Sequence, residues 1–252
     1  MDSRNTLKNY NLNGFVVLKK IFSKNEINKI LLELEIIKKL LKKTKDKKFF
    51  HKTKDGKINT IHNVQEFYKK NRIKYLINKK KLSLIIKNIL GDAFRVRNIE
   101  FFLKPKKTGM ASPFHQDNFY WNIIEAKAIN VWIACSSSSK LNGGLCYLKQ
   151  SNKLGTINHE VSNSKGSSQQ ISKLIIDKLN FKKIFPSIKA GDCLLHHPDT
   201  IHGSLKNRSN LDRIGMTISF TSKNAKIDKY KEAIYKKKLK KNLNRPSNKF
   251  IT

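Results

Sequence analysis

Phe114-His115-Gln116-Asp117 stands among short β-rich segments of this 252-residue chain, and the fold prediction starts from it. A histidine and an aspartate two positions apart on an extended strand point to the same face, so His115 and Asp117 can bind one metal ion. His202 can supply a third ligand from a distant segment, completing the two-histidine, one-carboxylate set that leaves positions of Fe(II) open. Arg213 follows 11 residues later, which suits a hairpin whose second strand places a guanidinium beside the metal to hold a dicarboxylate.

Short β-rich segments follow one another from Phe94 onward, separated by clusters of Gly, Pro, Asn and Ser. They cover residues 95–103, 128–135, 145–148, 183–185, 193–197 and 213–221. This succession predicts an α+β protein built on a double-stranded β-helix, the cupin-like jelly roll, with N-terminal helices supporting one of its sheets.

The first hundred residues are mainly helical in pattern, after a short predicted strand at 14–18. Ser23 followed by Glu26 predicts a helix start, and apolar residues at three- and four-residue spacing continue it over 25–43. The polar stretch 42–57 predicts a loop. Two further helices are predicted over 63–75 and 80–90, the second ended by Gly91.

We expect one domain over residues 1–252, with 223–252 forming a basic C-terminal helix or tail. Apolar residues in 223–244 recur near helical spacing, which favours a helix that docks on the barrel over a free basic arm. The Ser-, Asn- and Gln-rich stretch 161–170 predicts a flexible insertion between strands.

The order and spacing of several motifs resemble the phytanoyl-CoA dioxygenase family of Fe(II)- and 2-oxoglutarate-dependent oxygenases over most of the chain. The motifs are Asn13-Gly14-Phe15-Val16-Val17-Leu18, Phe102-Leu103-Lys104-Pro105, Phe114-His115-Gln116-Asp117, Val131-Trp132-Ile133-Ala134, Asn142-Gly143-Gly144-Leu145, and Gly191-Asp192 through His202-Gly203-Ser204 to Arg213. The resemblance implies Fe(II) bound by His115, Asp117 and His202, with 2-oxoglutarate and O2 as cosubstrates. The implied reaction hydroxylates an aliphatic carbon of a small-molecule metabolite and releases succinate and CO2.

The resemblance also implies a cosubstrate pocket beside the metal. Arg213 would pair with the distal carboxylate of 2-oxoglutarate, and Ser204 could donate a hydrogen bond to it because it shares strand parity with His202. Gln116 and Trp132 match family positions that line the cosubstrate side.

Lys104 matches a family lysine and could face an anion, or it could be one more surface residue among 46 lysines. His196 and His197 are not assigned to the metal, although at least one is expected to be a supporting or structural residue. The segment around Gln150 and Asn152 departs from the family's usual Gly-Ser-His-Lys, so it gives no indication of the substrate.

A formal net charge of +35 indicates affinity for polyanions that falls with salt. Only 7 of the 53 basic residues are arginine, and this lysine-rich composition is typical of AT-rich coding, so specific nucleic-acid binding is not expected. The alternative function is a basic polyanion-binding protein on an oxygenase fold with a vestigial metal site. A third hypothesis is an oxygenase acting on a macromolecule.

The three cysteines, Cys135, Cys146 and Cys193, are widely spaced in apolar stretches, which indicates buried, reduced thiols. No apolar run approaches the ~20 residues that span a bilayer, and the N-terminus has no apolar signal segment. We therefore expect a soluble, cytoplasmic protein without a transmembrane segment.

Overall fold

A computed structural model describes residues 3–43, 47–67, 79–91, 93–162, 164 and 167–243. The N-terminal part is helical with one strand and one hairpin. Its elements are α1 (Ser3–Asn13), β1 (Phe15–Leu18), α2 (Lys24–Lys43), β2 (Phe50–Lys52), β3 (Ile58–Ile61), α3 (Val64–Phe67) and α4 (Lys80–Leu90). The predicted start of α2 is confirmed, because Ser23 and Glu26 exchange backbone-to-side-chain hydrogen bonds.

The rest of the chain is mainly β. Its elements are β4 (Phe94–Lys104), β5 (Ser112–His115), α5 (Asp117–Trp121), β6 (Ala128–Ala134), β7 (Leu145–Leu148), β8 (Glu160–Val161), β9 (Gln169–Gln170), α6 (Lys173–Lys178), β10 (Lys183–Ile184), β11 (Cys193–His196), β12 (His202–Ser204), β13 (Arg213–Ser222) and α7 (Lys229–Leu243). Six of these strands, β4, β6, β7, β10, β11 and β13, lie within one or two residues of the predicted β-rich segments.

Two antiparallel sheets form the jelly roll. The larger has the strand order β1-β11-β6-β13-β4-β3-β2, and the smaller has the order β10-β7-β12-β5. Trp132 of the larger sheet and Tyr147 of the smaller share an apolar cluster, so the space between the sheets is packed at this end. The predicted double-stranded β-helix is confirmed.

The two faces of the larger sheet differ in chemistry, because side chains alternate along each strand. On β4, Ile99, Phe101 and Leu103 pack with α2 and α4 in the main hydrophobic core. Glu100 and Lys104 have the opposite parity and face the smaller sheet. The inward face of the larger sheet is therefore the polar one.

Several local predictions were wrong. The N-terminal helix α1 was not predicted, and the segment 42–57, predicted as a loop, contains β2. The predicted insertion at 161–170 does lie between two short strands, β8 and β9, although these strands take up its two ends and pair with each other. The predicted helix over 63–75 is described only as α3, and its remainder lies outside the described residues. The predicted end of α4 is confirmed, since Gly91 takes a left-handed conformation (φ 66°).

Cys135, Cys146 and Cys193 are buried and unpaired. Burial raises the pKa of the Cys135 thiol to about 12, so it stays protonated and unreactive. Among the described residues, no helix combines the length and the apolar character needed to cross a bilayer.

Candidate metal centre and anion pocket

His115, Asp117 and His202 meet between the two sheets. β5 and β12 are antiparallel neighbours, and His115 lies directly opposite His202 in their register. Asp117 Oδ1 lies 3.9 Å from His115 Nε2 and 3.8 Å from His202 Nε2. One ligand atom from each residue lies within 4.8 Å of the others, which is close enough for one ion to contact all three.

The route by which Asp117 reaches this position differs from the predicted one. The strand ends at His115, and Asp117 is the first residue of α5 instead of a strand residue. Gln116 between them is extended (φ −122°, ψ 132°), so the alternation of side chains is preserved for one more step. The prediction that both ligands share a face is therefore right, although only one of them lies on the strand.

Both histidines present Nε2 to the centre. His115 Nδ1 lies 2.8 Å from Pro113 O and His202 Nδ1 lies 3.0 Å from Thr200 O, so each Nδ1 donates to a backbone carbonyl. Burial lowers the pKa of each to about 4, with some opposition from Asp117. The imidazoles are therefore neutral at pH 7, and each Nε2 lone pair is available to a metal.

Asp117 is held as a carboxylate by two donors on its other oxygen. Asn130 Nδ2 donates to Oδ2 at 2.9 Å, and His196 Nε2 donates at 3.0 Å. His196 Nδ1 in turn lies 3.0 Å from the hydroxyl of Tyr147, which fixes the ring. Burial alone would raise the pKa of Asp117, but His202 and His196 hold it well below its usual range.

Arg213 lies beside this centre, and no acidic side chain among the described residues pairs with it. It is 1% exposed, and its guanidinium lies over Trp132, 5.3 Å from the ring centroid. Nη2 donates to Gly143 O at 3.0 Å, while Nε and Nη1 have no hydrogen-bond partner among the described residues. Burial lowers the pKa of Arg213 to about 9. A buried guanidinium with unsatisfied donors is costly, so it marks a place for an anion.

Lys104 reinforces this positive pocket. It pairs with Arg213 across β4 and β13 and is only 2% exposed, so the surface-lysine interpretation is wrong. Its Nζ donates to Ser204 Oγ at 2.6 Å and to the carbonyl of Leu205. Burial, and then the charge of Arg213, lower the pKa of Lys104 well below its usual value. Ser204 therefore accepts from Lys104, and its own hydroxyl hydrogen can point elsewhere.

Trp132 and Gln116 have different positions. Trp132 forms the floor under Arg213, and a Cβ on Gly215 would lie 2.0 Å from its ring, so only glycine fits there. Gln116 has the opposite parity to the metal-binding pair, and its amide donates to Gly155 O and Asp199 O, each at 2.7 Å. Both amide hydrogens of Gln116 are used within the fold, so its contacts give no support to the predicted cosubstrate role.

The residues fit both an iron ion and 2-oxoglutarate. Two neutral imidazoles and one carboxylate form the facial ligand set of non-haem Fe(II). The unsatisfied donors of Arg213, next to Lys104, match the distal carboxylate of a dicarboxylic acid. A jelly roll with such a metal centre and anion pocket defines the class of Fe(II)- and 2-oxoglutarate-dependent oxygenases.

Comparison with known proteins gives the family. The family model for phytanoyl-CoA dioxygenase (PhyH) matches residues 10–215. The chain therefore belongs to the phytanoyl-CoA dioxygenase family, whose members are oxygenases that use Fe(II), 2-oxoglutarate and O2. A comparison with curated protein sequences gave no match.

Solved structures share the fold at low identity. EctD from S. alaskensis with 2-oxoglutarate and 5-hydroxyectoine has a TM-score of 0.72 and 16% identity, covering 88% of this chain and 76% of that one. The epimerase SnoN with Fe3+, alpha ketoglutarate and nogalamycin RO has a TM-score of 0.70 and 16% identity, covering 88% and 84%. The carbocyclase SnoK from nogalamycin biosynthesis has a TM-score of 0.70 and 17% identity, covering 89% and 85%.

The sequence did not reveal every residue of the centre. Asn130 and Tyr147 were missed, since each lies in an ordinary β-rich segment with no motif to distinguish it. Asn130 is a polar residue in an otherwise apolar buried strand, a signal that could have found it. His196 is the supporting histidine that was expected, whereas His197 lies outside the centre and accepts a hydrogen bond from the Asp199 amide.

Proposed function

We propose that this protein hydroxylates an aliphatic carbon of a small-molecule metabolite, consuming 2-oxoglutarate and O2 and releasing succinate and CO2. The observation that carries the proposal is the buried Arg213, whose Nε and Nη1 have no partner among the described residues and which, by strand parity, faces the same space between the sheets as the metal-binding triad. A structural arginine would have its donors satisfied within the fold. A dicarboxylate bound beside the metal would give the free donors of Arg213 a partner.

Each group of the chain has a separate role in this proposal. His115, Asp117 and His202 would hold Fe(II), while Asn130 and His196 keep one carboxylate oxygen turned toward it. Bound iron and 2-oxoglutarate supply the chemistry that oxidises an unactivated carbon. The chain positions the reacting carbon and excludes bulk water from the space between the sheets.

Arg213 and Lys104 would orient the cosubstrate through its distal carboxylate. A guanidinium can hold both oxygens of a carboxylate, which fixes the direction of the molecule as well as its position. Trp132 supports the guanidinium from below, and Ser204 can donate its free hydroxyl hydrogen to the same carboxylate.

A small-molecule substrate is supported by the solved relatives, whose complexes contain 5-hydroxyectoine and nogalamycin RO. A macromolecular substrate has no observation of its own beyond the charge. We also propose a cytoplasmic location, which suits three buried, unpaired cysteines.

The test is conversion of 2-oxoglutarate to succinate under air with Fe(II), in the presence of a panel of small metabolites. One or more compounds should stimulate succinate release and gain one oxygen atom by mass spectrometry. The variant Asp117→Ala, checked for folding, should lose this activity because it removes the only carboxylate of the triad. A folded wild-type protein that gives no 2-oxoglutarate turnover with any compound would refute the proposal.

The alternative, polyanion binding by a protein with a vestigial metal site, rests on the net charge of +35. The three ligand residues and the donors that orient them are all present, which argues against a vestigial site. Salt-sensitive binding of DNA or anionic vesicles that is unaffected by Asp117→Ala, together with no turnover, would favour the alternative.

A further inference from the structure

A β-bulge in the long strand pair β4–β13 places Arg97 on the polar side of the larger sheet. Asn98 pairs with Ser219 and Val96 pairs with Phe220, so Arg97 is the extra residue between them. Bulges turn a side chain away from the direction that regular alternation would give it. The guanidinium of Arg97 lies over Trp121, 4.9 Å from the ring centroid, and Trp121 ends the helix that begins with Asp117.

Arg97 has no carboxylate of its own. No ion pair within 4 Å links it to an acid in the part of the chain that the structure describes, although two acids are near enough to stabilise its charge electrostatically. The first, Glu100, is paired with His62. The second, Asp117, accepts two hydrogen bonds on Oδ2 and turns Oδ1 toward the metal ligands. Arg97 therefore remains a cation available to a further anion.

An aromatic wall connects Arg97 to the metal centre. The Tyr120 ring centroid lies 6.0 Å from that of His115 and 5.8 Å from that of Tyr235 on α7. Burial raises the pKa of the Tyr235 hydroxyl group, and a hydrogen bond with Ser168 and the nearby charge of Arg97 partly oppose this rise. Lys238, also on α7, lies over Phe119 at 5.6 Å and adds a second positive charge to this side. Arg97 and Lys238 therefore lie beside an aromatic surface, formed by Tyr120 and Tyr235, that begins next to the ring of the metal ligand His115.

This group of residues is distinct from the pocket of Arg213. Along β13, Arg213 pairs with Lys104 whereas Ser219, six residues further on, pairs with Asn98 next to Arg97. Six strand residues span roughly 20 Å. Asn130, which holds Asp117, also pairs with Ser219, so the metal side of the cavity faces Arg97.

Resting on the proposed function, we propose that Arg97 determines substrate specificity by binding an anionic group, a carboxylate or a phosphate monoester, of the small-molecule substrate. The aromatic wall of Tyr120 and Tyr235 would pack against the apolar part of the same molecule. Arg97 is exposed, so a substrate can reach it, and a charge-assisted hydrogen bond gives a preference for an anion over a neutral analogue. The substrate class is therefore an anionic metabolite with an aliphatic segment.

The test compares matched pairs of probes on the anaerobic complex of protein, Fe(II) and 2-oxoglutarate. The pairs are small carboxylates with their amides, and phosphate monoesters with their parent alcohols, so the two series distinguish the two anions. Binding is followed by the change that each probe causes in the visible absorption of the complex. The variants are Arg97→Ala, Arg97→Lys and, as a control, Arg95→Ala, which removes an exposed charge from the same strand.

We expect anionic members of one series to bind about 10-fold or more tightly than their neutral partners in wild type and in Arg95→Ala. The preference should fall below about 2-fold in Arg97→Ala and recover in part in Arg97→Lys. Equal binding of both members, no binding by any anionic probe, or a preference that survives Arg97→Ala would overturn the proposal. Failure of the proposed function is separate, because wild type would then give no visible absorption with Fe(II) and 2-oxoglutarate.

Discussion

Asn130→Ala should weaken metal binding without removing any metal ligand. Asn130 donates to Asp117 Oδ2 at 2.9 Å from a buried position on β6, an interior strand of the larger sheet. Among the described residues, the variant leaves His196 as the only donor to that oxygen, so the carboxylate can rotate and its negative charge is less well satisfied. We therefore expect a loss of affinity for Fe(II) and a smaller effect on the cosubstrate.

The magnitude follows from the character of this hydrogen bond. A hydrogen bond to a charged group contributes about 1.5–3 kcal/mol. Removing it destabilises both the metal-free and the metal-bound protein, so only part of this free energy appears as lower metal affinity. Supporting hydrogen bonds of metal ligands typically change metal affinity about 10–100-fold. We expect the dissociation constant of Fe(II) to rise within that range, while 2-oxoglutarate affinity at saturating metal changes by less than about 3-fold, because Arg213 is unaltered.

The assay is anaerobic calorimetric titration of metal-free protein with Fe(II), with the melting temperature of each variant recorded. Asn142→Ala is the matched control, because Asn142 is also buried and, within the part of the chain that the structure describes, its amide bonds only to the backbone of the 137–139 turn. It should lower stability without changing metal affinity. A folded Asn130→Ala protein whose Fe(II) affinity stays within about 2-fold of wild type would show that Asn130 does not support the metal ligand.

Two further predictions concern the C-terminal helix and pH. Tyr235→Ala should increase backbone hydrogen exchange throughout α7, because Tyr235 packs on two aromatic rings of α5, whereas Tyr230→Ala at a 77% exposed position of the same helix should not. Equal exchange in the two variants would show that Tyr235 does not dock the helix. Because burial keeps the pKa of His115 and of His202 near 4, protons compete little with the metal. Metal affinity should therefore change less than about 2-fold between about pH 7.5 and 5.5. Two histidines with the ordinary pKa near 6.5 would instead weaken metal binding about 100-fold over the same range. Titrations at the two pH values distinguish these outcomes.

The parts of the fold that could be predicted are those set by local patterns. The apolar spacing of α2, its Ser23 start and the Gly91 end of α4 were recognisable because each depends on residues close in sequence. The helix that begins at Asp117 was not predicted, since it is one turn long and its five residues carry no repeating apolar pattern. The β2 strand was also missed, because its residues form a short edge strand in a polar stretch.

The site shows the same division. His115, Asp117, His202 and Arg213 were named from spacing and family resemblance. The structure brings the first three together and buries Arg213 on the inward side of the larger sheet. The burial of Lys104 was not predictable, because 46 lysines make the exposed state the ordinary one and only the β4–β13 register places this one inside. Arg97 is a comparable case, since its direction depends on a bulge between two strands more than 100 residues apart.

The most direct test of the central claim is addition of Fe(II) and then 2-oxoglutarate to metal-free protein without oxygen, recording the visible absorption. Wild type should develop the charge-transfer absorption expected when both bind at one centre. Asp117→Ala should lose it, and Arg213→Ala should require at least about 10-fold more 2-oxoglutarate to reach it, since the buried anion partner is gone. Absence of this absorption in correctly folded wild type would contradict the account of the site.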